Sequence, residues 1–184
     1  EYTNEELLLE AYEGETPTEL IEKMWSYGRY LFISSTHKDG LPCNMYGLWG
    51  GGYNLMWSHY MANENIQMMH WHVPVGGLTE LMSAFFNHYE SLMDDFRDNA
   101  RKLYGCRGIY MPAGSTPGMG VPNQIVPVIM NWTSAAGWIA QHYYSYYVYT
   151  GDVNFLKERA LPFMREVAHF YEDFVVMGDD GYFK

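Results

Sequence analysis

An apolar stripe with helical spacing occupies the middle of this 184-residue chain. From about Leu78 to Tyr104, apolar side chains recur every three or four residues, and charged side chains fill the opposite face. Gly105 follows the stripe, and glycine is typical of helix ends. The spacing predicts a long amphipathic helix whose apolar face packs against other helices. Its apolar positions are Leu78, Leu81, Met82, Phe85, Tyr89, Leu92, Met93, Phe96, Ala100 and Leu103.

Two helices are predicted before this stripe. The segment from Asn4 to Tyr12 has the pattern of a short capped helix that stops at Gly14. In the TPTE segment that follows, Thr16 is the predicted N-cap, with a proline at the first helical position and a glutamate completing a capping box. The second helix is expected to run to about Ile33.

Two more helical stretches are predicted towards the carboxyl end. One runs from about Trp132 to Tyr149 and is stopped by Gly151. The other is capped by Asp152 and runs to about Met177, with a break near Pro162, because proline removes a backbone donor and clashes with the preceding turn. No segment shows the two-residue alternation of a strand. An all-α fold of helical hairpins follows, and the periodicity leaves open a bundle, a solenoid or part of an α/α barrel.

Residues 34–77 lack helical periodicity and are rich in glycine and asparagine, and residues 106–130 return to the same loop composition. Loops of this length inside a compact domain are usually functional, so the first is predicted to carry the site. The chain as a whole, residues 1–184, has the length of a single domain.

The composition excludes several classes of protein. A chain that is 48% hydrophobic and 17% aromatic is not disordered. The net charge is −11 and the 11 lysines and arginines are scattered, so we expect no nucleic-acid partner. No apolar run approaches the roughly 20 residues that span a bilayer, so no membrane partner is expected. The two cysteines are too few for a disulfide framework.

The stretch MANENIQMMHW, residues 61–71, concentrates the polar groups of the first long loop. Asn63 and Asn65 are two positions apart, so an extended backbone would present both carboxamides on one face and Glu64 on the other. Two neutral amides can hold a water molecule, one accepting its proton and the other donating to its oxygen. The alternative is that both amides satisfy loop backbone groups.

Other chemistries find less support in the sequence. His70 and His72 share one face of an extended segment, but no third ligand follows at a recognisable spacing, so no metal site is predicted. The chain has no G-x-S-x-G turn and no phosphate-binding loop, which leaves nucleophilic-serine and nucleotide chemistry unsupported. No cofactor is expected.

Several blocks of sequence together resemble the catalytic domain of glycoside hydrolase family 95. The early blocks are Tyr27-Gly-Arg-Tyr30, Ile33-Ser-Ser35, Leu41-Pro-Cys-Asn44, Gly47, Trp49, Trp57, Tyr60, Asn63, Asn65, Gln67, Met68 and Trp71. The later blocks are Asn99-Ala-Arg101, Tyr104 to Gly108, Trp138 to His142, Tyr149 to Asp152 and Asp180-Gly-Tyr182. The resemblance covers residues from about 20 to the end.

The resemblance implies an (α/α)6 barrel and an inverting exo-glycosidase acting on terminal α-L-fucosyl or related α-L-galactosyl residues of oligosaccharides. It implies that Asn63 and Asn65 orient the attacking water. Gln67, Trp71, and His59 or Trp49 are expected to line or support the pocket. Secretion to the periplasm or outside the cell is a further expectation. The resemblance also places the general acid and the catalytic aspartate beyond Lys184, so this chain alone is expected to be inactive.

The chain departs from the family pattern at positions tied to sugar recognition. Met61 replaces a histidine common in the family, and the run Ile109 to Ala113 replaces a polar stretch. The loss of polar side chains at these positions is expected to change which sugar hydroxyl groups the site can hydrogen-bond. Two alternatives therefore stay open. One is a barrel that binds carbohydrate or acts as a scaffold without catalysis, and the other is an α/α-barrel phosphorylase or lyase.

Overall fold

The computed structural model describes residues 2–184, and its regular structure is almost entirely helical, which confirms the all-α prediction. The helices are α1 Asn4–Glu13, α2 Thr18–Ser35, α3 Asn65–Trp71, α4 Met82–Ser91, α5 Met93–Asn99, α6 Pro127–Met130, α7 Ala135–Thr150, α8 Val153–Phe155 and α9 Leu161–Phe174. A minimal antiparallel ribbon joins β1, Tyr60–Met61, to β2, Gly114–Ser115. In its register Tyr60 lies opposite Ser115 and Met61 opposite Gly114.

The first two helices begin differently. Helix α1 starts with a capping box, in which the Glu6 amide donates to Thr3 Oγ1 at 3.2 Å and the Thr3 amide donates to Glu6 Oε2 at 2.8 Å. The predicted capping box at Thr16 is wrong. Pro17 is the N-cap of α2, and because its backbone is extended, with ψ at 138°, the helix begins at Thr18. No side chain among residues 2–184 caps this helix.

The central stripe folds as a chain of short helical pieces rather than one helix. A 3-10 turn, Thr79–Leu81, leads into α4, and Leu92, with φ −103° and ψ 6°, separates α4 from α5. A π-helical turn, Ala100–Tyr104, completes the run, and Gly105 ends it as predicted with φ 67°. The buried face agrees with the predicted stripe at Met82, Phe85, Tyr89, Leu92, Phe96 and Ala100.

The prediction that residues 34–77 form a continuous loop is wrong in part, because this segment contains β1 and α3. Helix α3 is only seven residues long, and its buried side chains are Ile66, Gln67 and His70. Two of these three side chains are polar, so hydrophobic periodicity could not mark the helix. The two-residue strands are likewise too short to show an alternation.

The carboxyl-terminal helices follow the prediction closely. Helix α7 ends at Gly151 with φ 68°, and Asp152 Oδ1 accepts the Phe155 amide at 2.9 Å as the next cap. The expected break near Pro162 takes the form of a π-helical turn, Leu156–Ala160, between α8 and α9. The second stretch ends at Phe174 rather than Met177, because Val175 adopts an extended conformation.

Aromatic side chains join these helices into one core. Phe86 of α4 lies 4.4 Å from the ring of Tyr143 on α7 and 4.8 Å from that of Phe155. The ring of Tyr143 in turn stacks on Phe163 of α9 at 4.3 Å. None of the helices within residues 2–184 is long and apolar enough to cross a bilayer.

The loop after α5 packs tightly on α9 at Gly108. This glycine has φ 69°, and a Cβ atom there would lie 2.0 Å from the Glu166 carbonyl oxygen and 2.6 Å from the Phe170 nitrogen. Gly151 has nearly the same backbone, with φ 68°, but nothing lies within 4 Å of its Cβ position. The two sites therefore separate the cost of the backbone conformation from the cost of the contact.

We predict that Gly108→Ala lowers the free energy of unfolding by roughly 3 kcal/mol or more, because left-handed strain and a backbone clash act together. Gly151→Ala, the matched control, should cost about 1 kcal/mol from strain alone. Urea unfolding of both variants measures the difference. Equal losses would show that the close approach of Gly108 to α9 is not present in solution.

Candidate active site

Asn63 and Asn65 lie where the chain turns from β1 into α3. Residues 62–64 form the turn, and Asn65 is the first residue of α3. Glu64 has φ −167° and ψ −56°, so the segment is not extended, and the predicted extended geometry is wrong. The two carboxamides come from a turn and a helix start, while the Glu64 side chain is exposed to solvent.

The asparagine side chains are not used up in backbone contacts. Asn63 Oδ1 is buried and has no hydrogen-bond partner among the described residues. Asn65 is half-buried, and its side chain makes no hydrogen bond within residues 2–184. Buried carbonyl oxygens are normally paired, so Asn63 Oδ1 keeps an unused capacity to accept a hydrogen bond.

Gln67 lies beneath this turn with no exposed surface. Its Nε2 donates to the carbonyl oxygen of Ala62 at 2.5 Å, and its Oε1 is buried without a partner. The amide of Ala62 donates in turn to the carbonyl of Ala113 at 2.6 Å, next to β2. Gln67 therefore contacts the backbone that leads into Asn63 and does not line an open surface.

His59 lies beside β2 and is half-buried. Gln124 Nε2 is 2.8 Å from His59 Nε2, a contact in which the amide donates to the neutral ring. Burial lowers the pKa of His59, which favours that neutral form. The ring also lies against Gly114, since a Cβ atom there would be 2.5 Å from His59 Cδ2.

The two tryptophans lie in separate cavities. Trp49 is half-exposed and lines a cavity of about 280 Å³ between α2 and residues 43–49, which also includes Cys43 and His72. Trp71 lines a different cavity of about 400 Å³, between α3 and α7, together with His142 and Tyr149. Among the described residues, the lining of neither cavity includes Asn63 or Asn65. The structure places His59, the asparagines and Gln67 along one segment, with Trp71 at the carboxyl end of the same helix α3 and Trp49 in the other cavity.

His70 is a core residue. Its Nδ1 lies 2.7 Å from the Ile66 carbonyl, and its ring packs between Phe32 and Phe85 at 5.1 and 4.8 Å. Burial lowers its pKa from 6.5 to about 3, so the ring is neutral. Within residues 2–184, no three His, Cys, Asp or Glu side chains gather in a group that could hold a metal ion.

The residues that replace the family's polar positions are buried. Met61 is 5% exposed, and Ile109, Tyr110, Met111 and Ala113 are each 1% exposed or less. Ile109 and Met111 belong to the main core, whereas Tyr110 packs in a smaller cluster with Ala100, Cys106 and Phe170. The apolar residues at these positions are therefore part of the protein interior.

Sequence reasoning missed the groups that hold β2 in place. His88 Nε2 lies 3.3 Å from the hydroxyl of Ser115. The Gly120 amide donates to Asp95 Oδ2 at 2.7 Å, and Asn99 Nδ2 donates to the Gly120 carbonyl at 2.9 Å. These contacts join residues more than twenty positions apart, and no local pattern marks them.

Comparison with known proteins agrees with the family resemblance found in the sequence. The family model described as the Glycosyl hydrolase family 95 catalytic domain matches residues 1–184. Alpha-L-fucosidase 2 of Arabidopsis thaliana is 28% identical over 165 residues, which are 89% of this chain and 20% of that protein. Probable alpha-fucosidase A of Aspergillus niger is 31% identical over 166 residues, which are 88% of this chain and 20% of that protein.

A second fungal relative matches a shorter part. Probable alpha-fucosidase A of Aspergillus oryzae is 43% identical over 91 residues, or 48% of this chain and 13% of that protein. The chain thus spans 20% of the length of the first two relatives.

Three buried histidines make the fold sensitive to acid. Burial lowers the pKa of His70 to about 3 and those of His88 and His142 to about 4, each from 6.5. Below pH 6.5 the unfolded chain binds protons that the folded chain does not, so we predict that stability falls as the pH drops from 6.5 towards 4. His88→Gln, which can still contact Ser115, should flatten this dependence in urea unfolding. An unchanged slope would contradict the prediction.

We predict that Gly114→Ala displaces the His59 ring, because its Cβ would overlap Cδ2. The substitution should cost about 1–3 kcal/mol of stability, as overpacking does. His59→Ala in the same background removes the obstructing ring and should restore most of that loss, measured by thermal unfolding. If the stability losses of Gly114→Ala and His59→Ala simply add in the double variant, the His59 ring does not lie against Gly114.

Proposed function

Because the chain belongs to glycosyl hydrolase family 95, we propose that it is part of the catalytic domain of an inverting exo-glycosidase that removes terminal α-L-fucosyl residues, or related α-L-galactosyl residues, from oligosaccharides. The family match over residues 1–184 carries this proposal. The fucosidase names of the plant and fungal relatives support the choice of sugar.

Inversion needs a water molecule on the face of the sugar opposite the leaving oxygen, a base to activate that water and an acid to protonate the leaving group. In the proposal, Asn63 and Asn65 supply the first requirement. The lack of any partner for Asn63 Oδ1 among the described residues supports it, since this oxygen is left to accept one proton of a water that reaches it. The carboxamide of Asn65 would donate to the water oxygen.

Two such contacts would hold the water with one lone pair free to attack the anomeric carbon. A neutral carboxamide cannot remove the proton, so a separate base is needed, which in inverting glycosidases is a carboxylate. Asn63 and Asn65 therefore act by orientation, which lowers the barrier by removing the entropic cost of bringing the water into line.

The sugar-binding part of the site would draw on His59, which lies just before β1 on the segment leading into the asparagine turn and contacts Gln124 of the loop after β2. Trp49 and Trp71 would serve more distant parts of an oligosaccharide, since each lines its own cavity. Aromatic rings suit the apolar faces of sugars as well as core packing.

We predict that Asn63→Ala and Asn65→Ala in the full-length protein each lower kcat by about 10²-fold or more, with a modest change in KM, because water orientation is lost while sugar binding stays. Hydrolysis of an aryl α-L-fucoside, and of the matching α-L-galactoside, measures the effect and the sugar preference. Following the first-formed anomer by NMR tests inversion.

Asn154→Ala provides the control, since Asn154 is exposed on α8. It should leave kcat unchanged. Near-normal turnover in both asparagine variants would refute their assigned roles. Sugar binding without product release by the wild-type protein would instead favour a carbohydrate-binding barrel.

A further inference from the structure

The peptide units on both sides of Ala62 are held by hydrogen bonds. On one side the Ala62 amide donates to the Ala113 carbonyl at 2.6 Å, which ties this position to the segment entering β2. On the other side the Ala62 carbonyl accepts from Gln67 Nε2 at 2.5 Å. The second of these peptide units joins Ala62 to Asn63, so its orientation sets the direction in which the Asn63 side chain leaves the backbone.

The Gln67 side chain reaches this carbonyl from inside α3. Side chains on a helix lean towards its amino end, so a side chain in the first turn of α3 can reach back over the turn that precedes the helix. Gln67 is 0% exposed, which leaves its amide no solvent to bond with. The contact therefore links the start of α3 to the backbone of Asn63 through buried atoms alone.

If stability were the only requirement at position 67, glutamine would be a poorer choice than an apolar side chain. Its Oε1 is buried with no partner among the described residues, and a buried unpaired acceptor costs about 1–3 kcal/mol. An apolar side chain of the same length would fill the space without leaving that oxygen unpaired. What the glutamine adds is a directed hydrogen bond to the carbonyl next to Asn63.

We propose that Gln67 is a positioning residue for the asparagine pair, whose side-chain amide fixes the Ala62–Asn63 peptide and so holds the Asn63 carboxamide in place. This inference rests on the proposed function, because it concerns how the water-orienting asparagine is held. Gln67 does not touch the sugar or the water. Its effect passes through Asn63, where a displacement of about 1 Å is enough to cost a large factor in rate.

The test replaces the amide in two ways in the full-length protein. Gln67→Met keeps the length and removes the donor, and it should lower kcat about 10-fold or more with KM nearly unchanged. Gln67→Glu keeps the shape, but only its protonated form can donate to the Ala62 carbonyl, so its loss of kcat should increase as the pH rises and the carboxyl group ionises. Met68→Gln is the matched control on the same helix, because Met68 is 54% exposed, and it should leave kcat within about twofold of wild type.

A double-variant cycle separates positioning from a general loss of structure. If Gln67 acts through Asn63, then adding Gln67→Met to Asn63→Ala should lower kcat by no more than about twofold beyond Asn63→Ala alone. All assays are run below the unfolding temperature of each variant, measured by circular dichroism. If Gln67→Met does not fold, Gln67→Glu takes its place in the cycle.

The outcomes distinguish this inference from the proposed function. If the double variant lowers kcat by the product of the two single-variant factors, the positioning role is overturned. An effect of Gln67→Met on KM alone would overturn it as well. So would near-normal kcat in both Gln67 variants when Asn63→Ala is impaired, and the proposed function would then stand. Near-normal kcat in Asn63→Ala itself would refute the water-orienting role of Asn63 in the proposed function, and the positioning role of Gln67 would fall with it.

Discussion

Packing of the α4 aromatic side chains against α3 and α7 is the interaction on which the rest of this structure depends. Phe85 contacts the rings of His70 on α3 and His142 on α7 at 4.8 and 5.1 Å. Its neighbour Phe86 contacts Tyr143 at 4.4 Å. Burial of side chains this large contributes about 2–3 kcal/mol each, far more than the short helix α3 could supply by itself.

The asparagine turn takes its shape from that core through a series of contacts. Helix α5 holds the following loop through Asp95 and Asn99, which bond the amide and the carbonyl of Gly120. The same loop contains β2, which pairs with β1. The turn that carries Asn63 therefore lies between two elements that are held in place. On one side is the β1–β2 ribbon, which is bonded to α5 through its loop, and on the other is α3, which packs on α4 and α7.

The buried histidines of the core next to this turn are uncharged. The buried histidines of the neighbouring core have pKa values lowered by burial, and the nearest acid in sequence, Glu64, lies in solvent. The Asn63 and Asn65 carboxamides are uncharged, so they can donate and accept hydrogen bonds but cannot take up a proton as a carboxylate does. This agrees with the proposed role, in which Asn63 and Asn65 orient a water molecule and leave its proton to a carboxylate.

Sequence alone determined the features that depend on neighbouring residues. The apolar stripe of α4 and α5, the helix ends at Gly105 and Gly151, the Asp152 cap and the family all follow from patterns within a few residues or from ordered blocks of them. The N-x-N segment on which the proposed function rests, Asn63 to Asn65, is also visible in the sequence.

Tertiary structure alone decided the shape of the site. It placed Asn65 at a helix start, buried Gln67 against Ala62 and separated Trp49 from Trp71. The physical reason is the range of the forces involved. Helical periodicity depends on side chains three or four positions apart, so it can be read from the sequence. The two-residue ribbon and the seven-residue helix α3 are instead stabilised by partners some fifty to seventy positions away, such as Ala113 and His142.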